Sequence, residues 1–464
     1  MTSRTFLCFA VLSILAPAHA PDPAAAPPGK PKAPVPVVFG TEVPVAAGRI
    51  SLGAVEPSVA VNPKNPDNLV AAWIDFTNGD TNQCGFSFSN DGGRFWTFGG
   101  FLPTDGFSGD PSVTADADGN FYLTCFDFDT TLQRTTLRVA RSTDGGRTFP
   151  TFSVPATGGS PDKELIAADI SRRSRFRGTL YLAYTANRDG AFEIQVVVSR
   201  DRGLTWSAPV TIERSLSFSD NLLFGALPVL ASDGTAYVFY SRFDYGTGPT
   251  DIAFSKSTDG GRIWNATADV ATDLPSPGLF RLKNDSPQFG KQPFYGQTAG
   301  ATFPTATVAP DGTVYVAWSD VPAGSCIYFD GAEPSCTNSD VRLSRSTDGG
   351  RTWSAPVKAT DETGPSDQFF PALAAHADGL VSLSFWDKRL DPENEGWDAF
   401  YTNTRDGASF LANVRLSATT STAGAFFVGD YAWMAVAGDA PVPVWISERD
   451  GKRDIFAARG TPVR

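Results

Sequence analysis

Acidic residues occupy a repeated place in this 464-residue chain, at the start of nearly every segment predicted to be an apolar β-strand. These positions are Glu56, Asp110, Asp162, Glu164, Asp220, Asp367 and Asp430. Carboxyl groups that are brought together repel one another, so some pKa values must rise or a positive charge must lie nearby. Such groups can act as general acids, bases and nucleophiles, and their oxygens can bind Ca²⁺. The pattern predicts one acidic site, catalytic or ligand-binding, if the fold gathers these strands.

A second set of charged residues lies at the ends of the strands that follow. Asp75 ends the first of them, and Arg242, Arg389 and Arg449 lie close to other strand ends, beside acids. These arginines can bind an acidic group of a substrate, and pairing with the adjacent aspartates explains them equally well. The candidate substrate-binding residues are therefore Arg242, Arg389, Arg449, Asp110 and Asp430.

The strands that must position these residues recur in seven units. Each unit has an apolar strand, a turn and a second apolar strand, as in Pro57–Val61 with Leu69–Trp73, and a third strand follows. Several turns contain Asp-Gly, the residue pair that tight hairpins favour. The repeat predicts one all-β domain over residues 38–464, a seven-bladed β-propeller of four-stranded antiparallel blades, with six blades as the alternative.

The seventh unit ends after its third predicted strand, Arg453–Ala457, and lacks an outer strand. Glu42–Val45, near the start of the chain, resembles the fourth strands Ala208–Ile212 and Ala355–Lys358. We therefore expect the N-terminal strand to complete the seventh blade and close the ring.

One eight-residue phrase occurs five times between the hairpins. Its copies begin at Ser89, Ser142, Ser199, Ser257 and Ser346 and end in Trp96, Phe149, Trp206, Trp264 and Trp353, with a degenerate copy over 403–410. Its Ser and Asp can bond the backbone of their own turn, its Gly permits positive φ, and its closing aromatic can be buried between layers. In antiparallel blades these corners lie on the face opposite the acidic strand starts. We therefore predict that their aspartates are structural.

The phrase is similar to the Asp-box, or BNR repeat, found mostly in β-propellers, of which sialidases are the best-known members. The resemblance implies a glycosidase in which a tyrosine attacks the sugar with help from a glutamate and an aspartate donates a proton. Tyr431 starts the last inner strand, as the sialidase nucleophile does. Asp80 lies in the loop between the second and third strands of the first unit, where sialidases have their acid. The candidate catalytic residues are Tyr431, Asp80, Asp75 and Glu56.

Two features depart from the sialidase pattern. Val55-Glu56-Pro57 places an acid where sialidases have an arginine, and seven predicted blades exceed the six of sialidases. Three hypotheses follow. In the first, the chain is a sialidase-like glycoside hydrolase that acts on terminal sugars, which in one version are acidic. In the second, it is a non-catalytic propeller that binds glycan or protein. In the third, it is a seven-bladed polysaccharide lyase with Tyr431 as base.

The first 20 residues have the basic start, apolar run and small-residue end of a signal peptide, and residues 21–37 form a Pro/Ala-rich linker. We therefore expect a secreted or periplasmic protein with no transmembrane segment. The four cysteines beyond the signal suggest disulfides, and Cys326 with Cys336 and Cys84 with Cys125 are the expected pairs.

A net charge of −12 argues against a nucleic acid partner and leaves a glycan or polysaccharide as the expected one. Two histidines in the whole chain exclude His-based triads and His-ligated metals. We expect no cofactor, apart from Ca²⁺ that the acidic residues can hold, and a monomer.

Overall fold

In a computed structural model of the chain, the described residues are 33–46, 53–76, 82–157, 159–217, 221–244, 250–274, 303–320, 338–392, 396–421, 429, 431–449 and 451–463. The predicted signal peptide, Asp80, Asp220, Asp430, Cys326 and Cys336 lie outside these ranges. Within them, thirty strands form seven four-stranded antiparallel sheets and one two-stranded sheet. The predicted seven-bladed, all-β propeller is confirmed. The described residues contain no helix long and apolar enough to cross a membrane.

Two short strands precede the first blade, β1 (Val37–Phe39) and β2 (Val43–Pro44). Blade one contains β3 (Ala54–Asn62), β4 (Asn65–Asp75), β5 (Gln83–Ser89) and β6 (Thr97–Phe101). Blade two contains β7 (Gly106–Ala115), β8 (Phe121–Asp129), β9 (Arg134–Ser142) and β10 (Thr151–Thr157). Blade three contains β11 (Pro161–Ala168), β12 (Leu180–Arg188), β13 (Ala191–Ser199) and β14 (Val210–Arg214).

Blade four contains β15 (Asn221–Leu230), β16 (Ala236–Asp244), β17 (Thr250–Ser257) and β18 (Ala268–Leu274). Blade five contains β19 (Thr305–Val308), β20 (Val314–Asp320), β21 (Asp340–Ser346) and β22 (Val357–Lys358). Blade six contains β23 (Gln368–Ala375), β24 (Val381–Asp387), β25 (Asp398–Thr404) and β26 (Val414–Arg415). The seventh has β27 (Trp433–Ala437), β28 (Ala440–Arg449) and β29 (Lys452–Ala457), followed by β30 (Gly460–Pro462).

The ring closes at its N-terminal strands. β2 pairs with β29, with Val43 opposite Ala457, and so supplies the outer strand of blade seven, which confirms the expected closure. A second pairing, of β1 with β30, was not predicted. Val45 is fully buried, and Glu42 pairs with Arg449 on β28. The two ends of the described chain are therefore held together by main-chain and side-chain contacts.

The apolar core lies between neighbouring blades. Val70 and Phe86 of blade one, for example, belong to the same buried cluster as Val113 and Phe121 of blade two. The expected disulfide between Cys84 on β5 and Cys125 on β8 is present and joins these two blades. The first strand of each blade lines an axial channel of about 250 Å³ with residues such as Val59, Val113, Ile166, Leu227, Thr305, Leu373 and Met434.

The Asp-boxes form the corners between the third and fourth strands. In the first box, the Ser89 hydroxyl donates to Asp91 Oδ1 (2.8 Å), and the amides of Arg94 and Phe95 donate to the same oxygen (3.0 Å each). The closing Trp96 is 1% exposed. The Ser–Asp bond recurs in the other four boxes. These aspartates are engaged inside their own turns, consistent with a structural role.

Candidate active site

A β-bulge interrupts the inner strand at the same place in several blades. The pairing register shifts there in blades one, two, three, four and six. One residue in each bulge has positive φ, and these residues are Glu56 (55°), Asp110 (52°), Lys163 (52°), Gly225 (75°) and Phe370 (49°). In a regular strand, alternation would point these side chains into the contacts between sheets. A bulge changes the direction in which they point. The bulges thus bring residues from different blades to one end of the channel.

Lys163 is the centre of the resulting cluster. Its amino group lies 3.4 Å from Glu56 Oε1, 4.4 Å from the centre of the Tyr431 ring and 5.3 Å from that of Phe303. Its backbone amide donates to Asp110 Oδ2 (3.1 Å). The Lys163 side chain is only 6% exposed, so these contacts are made away from bulk water. Residues from blades one, two, three and seven therefore meet around one ammonium group.

Two carboxyl groups of this cluster have opposite protonation behaviour. Burial opposes ionisation of Asp110, but the Lys163 charge, side-chain hydrogen bonds with Glu56 and Asp162 and the Lys163 amide together hold its pKa below the usual value. Burial and the nearby Asp110 charge raise the pKa of Glu164 well above its usual value. Glu164 is 0% exposed, and neither of its oxygens has a hydrogen-bond partner among the described residues. The surroundings of Asp110 therefore favour its ionised form, whereas those of Glu164 favour its protonated form.

Gly429 allows blade seven to approach this cluster. Its φ is 76°, and a Cβ atom there would lie 2.8 Å from Glu56 Cγ and 3.1 Å from the Glu56 amide nitrogen. Glycine is the residue that accepts both this backbone conformation and this close contact. Gly429 thereby brings the segment that carries Tyr431 against blade one.

A small cavity lies beside Tyr431. Its volume is about 40 Å³, and its lining is mostly apolar, with Leu165, Phe303, Phe370 and Trp433 contributing. Pockets that hold drug-sized ligands usually measure about 300–1,000 Å³. The cavity formed by the described residues is therefore smaller than the usual ligand pocket.

The structure brings together three of the predicted site residues, Glu56, Asp110 and Tyr431. Asp75 lies elsewhere in blade one, where its Oδ2 accepts a bond from Trp73 Nε1 (3.3 Å). Burial, together with the Asp75 charge, raises the pKa of Asp454 on β29 to about 6. Asp80 and Asp430 lie outside the described residues, so their assignments stay predictions.

The three predicted arginines are paired with carboxylates of the protein. Arg242 contacts Glu213 (2.8 Å), Asp251 (3.1 Å) and Asp269 (2.9 Å). Arg389 pairs with Asp387 (2.7 Å) and Asp361 (2.6 Å), and Arg449 pairs with Glu42. Among the described residues, none of the three contacts another or joins the Lys163 cluster. Their role in substrate binding stays a prediction.

The sequence-based prediction did not single out Lys163 and left Glu164 out of its candidate set. The signal was the triplet Asp162-Lys163-Glu164, in which one lysine stands among the acids at an inner strand start. A lysine between two acids is usually a surface residue, so residue type alone gave no reason to bury it.

No group of three or more His, Cys, Asp or Glu side chains in the described ranges is arranged to hold a metal ion. In the cluster, Lys163 supplies the positive charge that adjacent carboxylates require. Ca²⁺ binding by the acidic residues stays a prediction.

Comparison with known proteins gives one informative sequence relative. A sialidase from Micromonospora viridifaciens is 26% identical over 340 residues, which are 64% of this chain and 44% of the sialidase. The chain thus spans less than half the length of this relative. No family model matches the chain.

Several solved structures align with most of this chain at low similarity. A protein of unknown function from Dyadobacter fermentans matches 92% of this chain and 99% of its own with 15% identity and a TM-score of 0.49. A Hadza microbial sialidase matches 81% of this chain and 68% of its own with 16% identity and a TM-score of 0.46. A Trypanosoma rangeli sialidase matches 91% of this chain and 58% of its own with 11% identity and a TM-score of 0.45. The fold given above is based on the strands of this chain and does not depend on these alignments.

Proposed function

We propose that this sialidase-like Asp-box β-propeller is an exported glycoside hydrolase that removes terminal sugars from glycans at the mouth of its axial channel. One observation carries the proposal: Tyr431 lies beside a buried ammonium group, and Glu56 and Asp110 bind the same lysine. The sialidase relative supports the same class of reaction.

Tyr431 is the nucleophile in this proposal. A phenol attacks a sugar only after it loses its proton, and a cation 4.4 Å from the ring centre stabilises the phenolate that forms. Glu56, which contacts the same ammonium group, is the base that accepts the phenol proton. Asp110 keeps Lys163 in place through its bond to the Lys163 amide. The proton for the leaving oxygen comes from an acid, the role that the sequence gives to Asp80.

The charges of the cluster bear on the substrate. Glu56 and Asp110 offset the Lys163 charge, and the three predicted arginines are paired with other carboxylates. The described residues of the Lys163 cluster and these three arginines therefore offer no spare positive charge to a substrate carboxylate. A neutral terminal sugar needs none, whereas an acidic sugar would have to be bound by residues outside the described ranges.

The test is hydrolysis of a panel of fluorogenic glycosides, neutral and sialylated, by the full chain. We expect release of the aglycone from at least one of them and a loss of about a thousandfold or more in kcat for Tyr431→Phe, because removal of a nucleophile abolishes the covalent route. Tyr181→Phe is the matched control, since Tyr181 is a fully buried tyrosine on β12 in another blade. Full activity in Tyr431→Phe would refute the mechanism.

A non-catalytic glycan-binding propeller is the second candidate. It is favoured by the small volume of the cavity beside Tyr431 and by the arginines, which are already engaged with carboxylates of the protein. Inactivity of the parent chain on the whole panel, together with glycan-array binding that Lys163→Met abolishes, would establish this alternative. An ultraviolet-absorbing unsaturated uronate among the products would instead identify a polysaccharide lyase.

A further inference from the structure

A groove on the Asp-box face, between blades two, three and four, is lined by five arginines. Its volume is about 490 Å³, and its charged lining residues are Arg175, Arg177, Arg200, Arg202, Arg262, Asp116 and Asp118. Five arginines against two aspartates give the lining an excess of positive charge. The whole chain, with 38 basic and 50 acidic residues, has a net charge of −12. The groove thus has the opposite sign to the molecule that carries it.

One wall of the groove is an extended connection between β11 and β12. The equivalent turn of blade two occupies residues 116–120, whereas this connection occupies residues 169–179. Its base keeps the hairpin bond from the Asp169 amide to the Thr179 carbonyl (2.9 Å). Asp169 is fully buried and accepts bonds from the Ser171 amide (3.1 Å) and the Ser174 hydroxyl. The inserted segment is therefore fixed, and it holds Arg175 and Arg177 at the groove.

Four of the five arginines bond carbonyl oxygens. Arg175 donates to Thr258 O (3.0 Å), Arg177 to Ile170 O (3.4 Å) and Arg262 to Asp259 O (3.3 Å), and Arg200 donates to Gly260 O. Within the described ranges, none of these four forms an ion pair with a carboxylate. Each guanidinium has five N–H donors, and most of them stay available.

The arginines of the opposite face behave differently. Arg242, Arg389 and Arg449 each form an ion pair with at least one carboxylate. In the groove only Arg202 is so paired, to Asp118 (3.1 Å), which also accepts a bond from Lys64 (3.2 Å). The lining therefore has three more arginines than aspartates, and four of its arginines make no ion pair with a carboxylate among the described residues.

We propose that this groove binds an acidic polysaccharide through its carboxylate or sulfate groups. Planar guanidinium groups match such oxyanions with two parallel hydrogen bonds, and the volume falls within the usual range of ligand sites. A duplex nucleic acid would bring a continuous row of phosphates against a molecule of charge −12 and would be repelled outside the groove. A flexible polysaccharide segment can enter the groove without that contact.

The proposal is independent of the hydrolase proposal, because the groove lies on the face opposite the Lys163 cluster. A polymer held there would leave the channel mouth open. The groove would then bind one part of a glycan-rich matrix, while the channel mouth on the other face stays accessible to a terminal sugar.

The experiment is affinity electrophoresis of the full chain through gels that contain chondroitin sulfate, polygalacturonate or neutral dextran. We expect retardation by at least one of the two acidic polymers, none by dextran, and a loss of retardation as salt is added. In Arg175→Gln/Arg177→Gln, two exposed arginines lose their charge, and we expect binding about tenfold weaker. Arg94→Gln/Arg351→Gln is the matched control, since it removes two exposed Asp-box arginines from other blades and should bind as the parent does.

Retention by chondroitin sulfate alone would assign the site to sulfate groups, and retention by polygalacturonate alone would assign it to carboxylates. No retention by either polymer, or equal losses in the two double variants, would overturn the proposal. Binding of a DNA duplex with the same dependence on Arg175 and Arg177 would overturn the assignment to polysaccharide. Unfolding temperatures of both double variants, measured alongside, separate lost binding from lost folding.

Discussion

Lys163 supplies the positive charge for two buried carboxyl groups, Glu56 and Asp110, in a site that water hardly reaches. Removing Lys163 alone would leave a buried charge without a counter-charge, which costs several kcal/mol in proteins. The carboxyl groups therefore depend on this lysine for stability. The same dependence fixes the ammonium group next to Tyr431, which the proposed reaction requires.

Lys163→Met should destabilise the fold by about 3–5 kcal/mol, because Asp110 then keeps a buried charge without its partner. Lys163→Met/Asp110→Asn should recover part of that loss, since both charges are absent, and the two substitutions should be clearly non-additive. Urea unfolding of the parent, the two single variants and the double variant measures the coupling. Additive effects would mean that Lys163 and Asp110 do not depend on each other.

Glu164→Gln should become more stabilising as pH rises. The pKa of Glu164 is raised in the folded state, so folding favours the protonated form and loses stability as pH increases above the ordinary value of 4.5. Glutamine is neutral at every pH and avoids that loss. The unfolding temperatures of parent and variant should therefore diverge between pH 4.5 and pH 8, whereas a constant difference would contradict a raised pKa.

Lys163 and Glu164 should differ in their effect on the proposed glycosidase activity. Because burial raises the pKa of Glu164 and so favours its neutral form, we expect Glu164→Gln to retain kcat within about threefold, while Lys163→Met loses most of it. Measurement of kcat and KM for both variants on the same glycoside distinguishes them. A large loss of kcat in Glu164→Gln would make its proton part of the reaction.

At the level of the strands, the repeated residue pattern predicted the blades better than it predicted which residues form the site. The hairpins were found because apolar residues and Asp-Gly turns repeat in every unit. The bulges were not found from the sequence. Gly225 is of a residue type that signals positive φ, whereas Glu56, Asp110 and Lys163 are not. Glu56 and Asp110 lie near the same lysine, and the position of that lysine follows from bulge geometry, which the pattern does not encode.

The Asp-box corners should contribute to stability and leave the proposed activity unchanged. Asp144 accepts bonds from Ser142, the Arg147 amide and the Thr148 amide and hydroxyl. Asp144→Ala removes them and should cost about 1–2 kcal/mol, measured by urea unfolding. Arg147→Ala is the control from the same box, because this exposed side chain makes one bond to the Asp144 carbonyl, and should change stability by less than about 0.5 kcal/mol.

The pH dependence of Asp144→Ala follows from the same bonds. Partial burial opposes ionisation, but the bonds from Thr148, Ser142 and two amides hold the pKa of Asp144 below 3.8. A lowered pKa gives stability that is present above pH 3.8 and is lost as pH falls through the folded-state value. Parent and variant should therefore converge in acid, and a difference that persists at the lowest pH would contradict this origin.

The whole ring depends on its two short N-terminal strands. β1 and β2 supply the outer strand of blade seven and a separate pairing with β30. A chain that starts after residue 46 should lose both, expose the edge of β29 and unfold at a lower temperature. A chain that starts at Ala33 keeps β1 and β2 and is the control. Equal unfolding temperatures for the two truncated chains would contradict the closure.

Left-handed backbone is unevenly distributed around the channel mouth. A residue with a side chain costs roughly 1–2 kcal/mol in this conformation, whereas glycine adopts it freely. Blades four and seven have Gly225 and Gly429 there, whereas blades one, two, three and six have Glu56, Asp110, Lys163 and Phe370. Three of these four strained positions belong to the Lys163 cluster and lie on consecutive blades. Asp110→Gly, in a chain where Lys163 is also replaced, would release strain that the parent retains, and the resulting gain in stability would measure the backbone tension at the channel mouth.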